Sequence, residues 1–226
     1  MPSNSCRPGS DTTAAPAAVF PSVAPNWRRL DYLALGNPRQ RSAHALLGDG
    51  LWDELATLWT DVALVSTVAI GLDRPGSDLD ILCQHPEPAS LAATLAAQGW
   101  QVRGKGEQVW LAEQTRRGPD GQSWPLELYI TPAPLERLHG WRHLSLMAAL
   151  LAHFGEPFHQ EVRRLRLEDG LKGEAAICRL LGLPGDPYAA LLTLEGRSLA
   201  GLCWPPSPLA RPAQDDAPPC ARAEDS

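Results

Sequence analysis

The sequence predicts an α+β protein, α/β in its first part: a small mixed sheet with flanking helices, followed by a helical C-terminal part. Three observations carry this. Short apolar or alternating runs occur at Val62 to Val65, Asp78 to Cys83, Val109 to Thr115 and Ser123 to Ile130, the pattern of strands. Helical periodicity precedes the first run from Pro38, recurs at Pro88 to Gln98 and dominates from Trp141 to Leu194. The order is helix, strand, strand, helix, two strands, then helices alone, which suits a sheet module followed by a helical one.

The first helix starts at Pro38 with Ala43, Leu46 and Leu47 on one face, and continues as Leu51, Leu55 and Leu58 after a break at Gly48 to Gly50. Val62-Ala63-Leu64-Val65 is a short buried strand, and Asp78 to Cys83 a second. Pro88 to Gln98 reads as a helix that Gly99 ends. The strands 109–115 and 123–130 are joined by a loop containing Pro119-Asp120-Gly121. Trp141 to Phe154 is apolar almost all round, the mark of a buried helix, and stops at Gly155. Pro157 to Glu168 opens on a first-turn proline and repeats Phe158, Val162 and Leu165; its run Arg163, Arg164, Arg166 reads as a solvated face paired with Glu161, Glu168 and Asp169. Glu174 to Leu181 ends at Gly182, and Asp186-Pro187 starts a last helix over Tyr188 to Leu194.

Residues 1–26 and 201–226 together hold eleven of the 22 prolines. With their Ala, Ser and Asp content, this predicts disordered tails over 1–26 and 197–226, which lack the apolar residues needed to offset the entropy of ordering. Between them lie a sheet module, 27–134, and a helical module packed on it, 135–196. The net charge of −6 argues against holding a long nucleic acid through its phosphates, but not against a small nucleotide escorted by a metal ion. Five scattered cysteines without a C-x-x-C pair exclude a disulfide framework and suit a reducing cytoplasm. No apolar run is long enough for a membrane span, and no secretory leader is expected.

The stretch Gly76-Ser77-Asp78-Leu79-Asp80-Ile81-Leu82 carries the chemistry. On a strand, Asp78 and Asp80 share one face while Leu79 and Ile81 face the core. Two carboxylates so close repel unless a cation joins them, and their oxygens suit a hard divalent ion. Leu126-Glu127-Leu128-Tyr129-Ile130 alternates in the same way, with Glu127 outward. If the two strands are neighbours, Glu127 joins the pair. Upstream, Ser66-Thr67 directly follows the first apolar strand, and small hydroxyl residues there let backbone N–H groups approach a phosphate. Ser77 stands beside the pair.

This arrangement resembles the nucleotidyltransferase superfamily, the polymerase-beta-like fold: a strand, a Gly-Gly or Gly-Ser pair, a gap of about ten residues, Asp-x-Asp between apolar residues, and a third acid on a later strand. The matching pieces are Val65-Ser66-Thr67, Asp78-Leu79-Asp80 and Glu127. More narrowly, the stretches "GNPRQRSAHALL", "GLDRPGSDLDI", "PLELYI", "WRHL" and "GLKGEAAICRLLGLPGDPYAALL" resemble a largely uncharacterised bacterial group of nucleotidyltransferase-like proteins. The resemblance implies a nucleotidyltransferase-type sheet. It implies that Asp78, Asp80 and Glu127 are the metal-binding and catalytic acids, with two magnesium ions. It also implies a nucleoside triphosphate and an unidentified acceptor as partners. Ser66, Thr67, Ser77, Arg142, His143 and Lys172 are the candidates for holding the nucleotide and its phosphates. One departure stands out: the superfamily has glycine where this chain has Ser66. It leaves open a non-catalytic nucleotide-sensing or protein-interaction module, and the acids alone would equally serve a metal-dependent phosphohydrolase.

Overall fold

The computed structural model of the chain describes residues 26–204. Its strands form one mixed sheet. β1 (Asp61–Leu64) lies antiparallel to β2 (Leu79–Gln84), and β2 lies parallel to β5 (Ser123–Thr131). β5 is antiparallel to β4 (Val109–Arg117), which is antiparallel to β3 (Gln101–Gly106). The spatial order is therefore β1-β2-β5-β4-β3. The parallel pair at the centre needs a long crossover, and α3 (Pro88–Ala97) with β3 and β4 supplies it. The α+β class expected from the alternation is the one observed.

Alternation decides which face of the central strands is buried. Leu79, Ile81 and Cys83 of β2 are fully buried, as are Trp124, Leu128 and Ile130 of β5. Asp80 and Glu127 fall between them, half-buried, on the opposite face. Against the sheet pack α1 (Pro38–Gly48) and α2 (Leu51–Leu58), then the helical part: α4 (His139–Phe154), α5 (Glu156–Glu168), α6 (Gly173–Leu181) and α7 (Pro187–Leu192). One continuous apolar core joins them, from Leu47 and Leu64 to Leu150, Phe158 and Ile177. Among the described residues no helix is long and apolar enough to cross a membrane.

Two readings of the sequence need correction. Strand β3 escapes it because "QVRGKG" is exposed along nearly its whole length and does not alternate. The C-terminal tail also begins later than residue 197. Leu199–Gly201 form a 3-10 turn, and Leu199, Leu202 and Trp204 pack on the core, Trp204 edge-on to Phe158 at 5.3 Å. Their apolar side chains have area to bury against the core, which offsets the entropy of ordering them. The expectations for 1–25 and 205–226 lie outside the described residues.

Candidate functional site

The connection between β1 and β2 is held by buried polar contacts. Asn37 and Gln40 form a reciprocal capping box at the start of α1, satisfying two of its free N–H groups. The same side chains reach outward: Gln40 donates to the Val68 carbonyl at 2.9 Å, and Asn37 to Asp73 at 3.4 Å. Arg39 closes on Asp73 at 2.9 Å and lies over the Trp124 ring. Arg74 donates to the Gly170 carbonyl at 3.0 Å, just beyond the end of α5. The connection that precedes Asp78 is thus fixed from both sides.

Ser66 is 1% exposed. Its hydroxyl donates to the Asp78 carbonyl at 2.7 Å and accepts from the Val68 N–H at 3.3 Å, capping a 3-10 turn over Thr67–Ile70. It anchors the backbone of the acidic pair and does not line the cleft. Thr67, the next residue, does line it. Ser77 is also buried, and its oxygen accepts from the Arg74 N–H, closing the turn before β2.

Asp80 and Glu127 are direct partners in the parallel β2–β5 register, so their side chains leave the same face at adjacent positions. Both line a cleft of about 510 Å³ between the sheet and the helical part. Asp78 precedes the strand and is exposed. It lines a neighbouring hollow of about 280 Å³ with Glu113, and Glu127 belongs to both hollows. The acids are therefore brought together around Glu127, not gathered in one cup. Among the described residues no three His, Cys, Asp or Glu side chains stand close enough to form a ready ligand set.

Burial, and then the charges of Asp78 and Glu127, push the Asp80 carboxyl up to about 7; Lys172 opposes this and Glu174 adds to it. Burial, then Glu113, also raises Glu127, with Lys105 and Arg103 opposing. Desolvation and mutual repulsion act on the same groups, which is where a bound cation would relieve most. The donors are all carboxylate oxygens, the set that a hard ion such as magnesium takes. The chemistry of these donors suits that ion, while among the described residues they are not drawn together into a ready ligand set.

The remaining expected residues divide. His143 lines the cleft, 6% exposed, with Nε2 at 3.2 Å from the Tyr188 carbonyl and Nδ1 at 4.0 Å from Glu174. Lys172 stands near the rim, its ammonium 5.8 Å from the Tyr188 ring. Its affinity for its proton is raised, first by the Tyr188 hydroxyl and further by Glu174 and Asp78. Arg142 points elsewhere: its guanidinium is paired with Glu195, and it does not line the cleft. Its position on the first turn of α4, next to His143, misled the sequence reading, because neighbours along a helix face different directions.

Several cleft residues were missed. Tyr129 lies two positions after Glu127 and so on the same face, a signal the alternation already contained. Lys105 sits at the register shift between Gly104 and Gly106; bulges re-aim side chains, and nothing in the sequence announces this one. Glu174, Arg137 and Tyr188 enter from the helical part. Arg166, which stands behind the lining residue Thr67 and does not itself line the cleft, was taken for part of a solvated face, yet it is 6% exposed.

The fold and the cleft define a class: a mixed sheet whose central parallel strands present carboxylates to a groove roofed by helices. A family model described as a domain of unknown function, DUF4269, matches residues 44–194. The chain belongs to that family. No curated protein matches the chain.

Proposed function

We propose that the protein is a magnesium-dependent nucleotidyltransferase that moves a nucleotidyl group from a nucleoside triphosphate to an acceptor hydroxyl. The observation that carries the reading is the direct pairing of Asp80 with Glu127 on parallel strands, at the floor of a cleft whose wall includes Lys105 and Arg137. A volume of about 510 Å³ is in the range of small-molecule sites.

Asp78, Asp80 and Glu127 would hold the ions, which would neutralise charge on the entering and leaving oxygens. In the transfer, the acceptor oxygen forms a bond to the α-phosphorus and the bond from that phosphorus to pyrophosphate breaks. The acceptor proton passes to Glu127, whose affinity for a proton is raised by burial above the ordinary carboxylate value, as a general base requires. Thr67 and Lys172 would orient the phosphate groups, and Tyr129 and Tyr188 offer flat apolar surface for a base.

Calorimetry with the four common nucleoside triphosphates tests this. One or more should bind only with Mg²⁺, and Asp78→Asn and Asp80→Asn should each weaken that binding at least tenfold. Equal affinity in the variants would overturn the reading. Product analysis separates transfer from hydrolysis, since a hydrolase needs no acceptor. A second reading, a non-catalytic nucleotide-binding module, draws on Ser66, whose hydroxyl is fully used on Asp78 and Val68. It predicts metal-nucleotide binding without any release of pyrophosphate.

A further inference from the structure

Arg166 is a buried charge with little to compensate it. It lies on α5 four residues after Val162 and eight after Phe158, in the row that packs inward. An arginine has five N–H donors and no acceptor. Among the described residues the only hydrogen bond its guanidinium makes is a long one, 3.4 Å, to the Thr67 hydroxyl, and its Nε is buried without a partner. No carboxylate among those residues stands at ion-pair distance from it, while on exposed ground Arg164 pairs with Glu161 and Glu168 and Arg179 with Asp169. Burial, and next the Arg74 guanidinium, draw its affinity for its proton below the ordinary value, with only the more distant Glu174, Asp73 and Asp78 opposing. A buried guanidinium left like this is costly.

Its surroundings point to the cleft. Thr67 and Met147 both line it. A Cβ placed on Gly173 would meet the Met147 sulfur at 3.0 Å and an Arg166 terminal nitrogen at 3.3 Å, so Gly173 leaves room for the guanidinium beside Met147. The hydrogen bond to Thr67 has a direction. Arg166 can only donate, so the Thr67 oxygen accepts, and the Thr67 proton remains free to be donated.

We propose that Arg166, acting with the Thr67 hydroxyl, forms an oxyanion site at the cleft, and that its ligand is a phosphate group. The anion takes the unused guanidinium donors and the Thr67 proton, and supplies the counter-charge that the protein omits. The site itself stands on this unpaired charge; that the phosphate belongs to a nucleotide's tail rests on the proposed function.

The test uses the full chain in EDTA, with inorganic pyrophosphate as the probe, by calorimetry and thermal shift. The wild type should bind pyrophosphate without metal. Arg166→Met should weaken it roughly ten- to a hundredfold, the size of lost charge-assisted hydrogen bonds. The ligand-free variant should melt no lower than the wild type, because an apolar side chain replaces an uncompensated buried charge. Thr67→Val, which keeps the shape of the cleft wall, should weaken binding severalfold. Asp80→Asn should bind pyrophosphate at least as well as the wild type, which separates this site from the metal-dependent one. ATP, titrated into the same proteins in parallel with Mg²⁺ in place of EDTA, identifies the source: equal loss for ATP and pyrophosphate in Arg166→Met assigns the site to a nucleotide tail, and loss for pyrophosphate alone assigns it to a free anion. No binding of pyrophosphate by the wild type, or affinities for Arg166→Met and Thr67→Val within twofold of it, would overturn the proposal.

Discussion

Asp80 is the residue on which folding and chemistry pull apart. A strand interior beside Ile81 and Cys83 is an expensive place for a carboxylate, and the folded protein answers by raising its affinity for a proton, up to about 7. The linkage has a definite sign. A carboxyl whose folded value lies above its unfolded one binds more protons in the native state, so stability falls as pH rises between the two values. For Asp80 that window runs from about 4 to about 7. Asp80→Asn keeps the shape and cannot ionise. The variant should therefore gain on the wild type across this window and hold a constant lead above it, on the order of 4 kcal/mol. Thermal melts of both proteins at pH 4, 5, 6, 7 and 8 check this; a lead that shrinks with rising pH contradicts it. The face of Asp80 was legible in the sequence because period two fixes the face of a strand residue whatever its partner, whereas Asp78, expected on the same strand face, precedes the strand and opens on the neighbouring hollow. The burial of Arg166 was legible too, in its spacing from Phe158 and Val162, but charge was read before position. Which carboxylate shares a hollow with which was not legible, since that depends on where β2 begins and on which strand lies beside it.

Among the elements, α1 does more than pack. Its capping pair, Asn37 and Gln40, also binds the turn that follows β1, and its Arg39 bridges Asp73 to Trp124. The sequence contains the cap signal, an Asn before Pro38 with a Gln three residues on, which the sequence reading passed over although capping is a local rule. It does not show Asp73 or Val68 as partners, because they meet α1 only after the chain has turned back. Asn37→Ala removes the cap and the contact to Asp73 together. It should cost about 1–2 kcal/mol. Hydrogen exchange should quicken at Ala69 and Gly71, whose N–H groups are bonded within that turn, more than at Ile130 in the sheet centre. Equal exchange at all three would show that α1 does not secure the turn. The pairing of β2 with β5 is the complementary case. Each strand is readable alone, while their parallel register follows from a crossover that includes β3, the one strand with no alternation to read.

At the scale of the molecule, the boundary drawn between 134 and 135 marks a change of element type and not a break in the core. Gly140 of α4 sits against Val65 and Leu82, so closely that a Cβ there would touch Val65 at 3.4 Å. Arg28 ties β1 to the segment before α4 by pairing with both Asp61 and Glu136. Arg74 closes on the end of α5, and the apolar cluster runs unbroken through sheet and helices. The cleft exists only where these two parts meet, so the acids of the sheet and Glu174, His143 and Tyr188 of the helices assemble as one structure or not at all. Two parts that share a core unfold together. Trp27, Trp59, Trp100 and Trp124 are buried on the sheet side, and Trp141 and Trp204 pack from the helical side, so fluorescence reports on both while far-UV dichroism is weighted toward the helices. Their thermal midpoints should coincide within about 1 °C. A chain ending at Pro134 would leave Val65 and Leu82 uncovered, and should show no cooperative transition. Separate midpoints, or a truncated chain that melts sharply, would mean that the sheet carries its own stability and the cleft is a docking of two bodies.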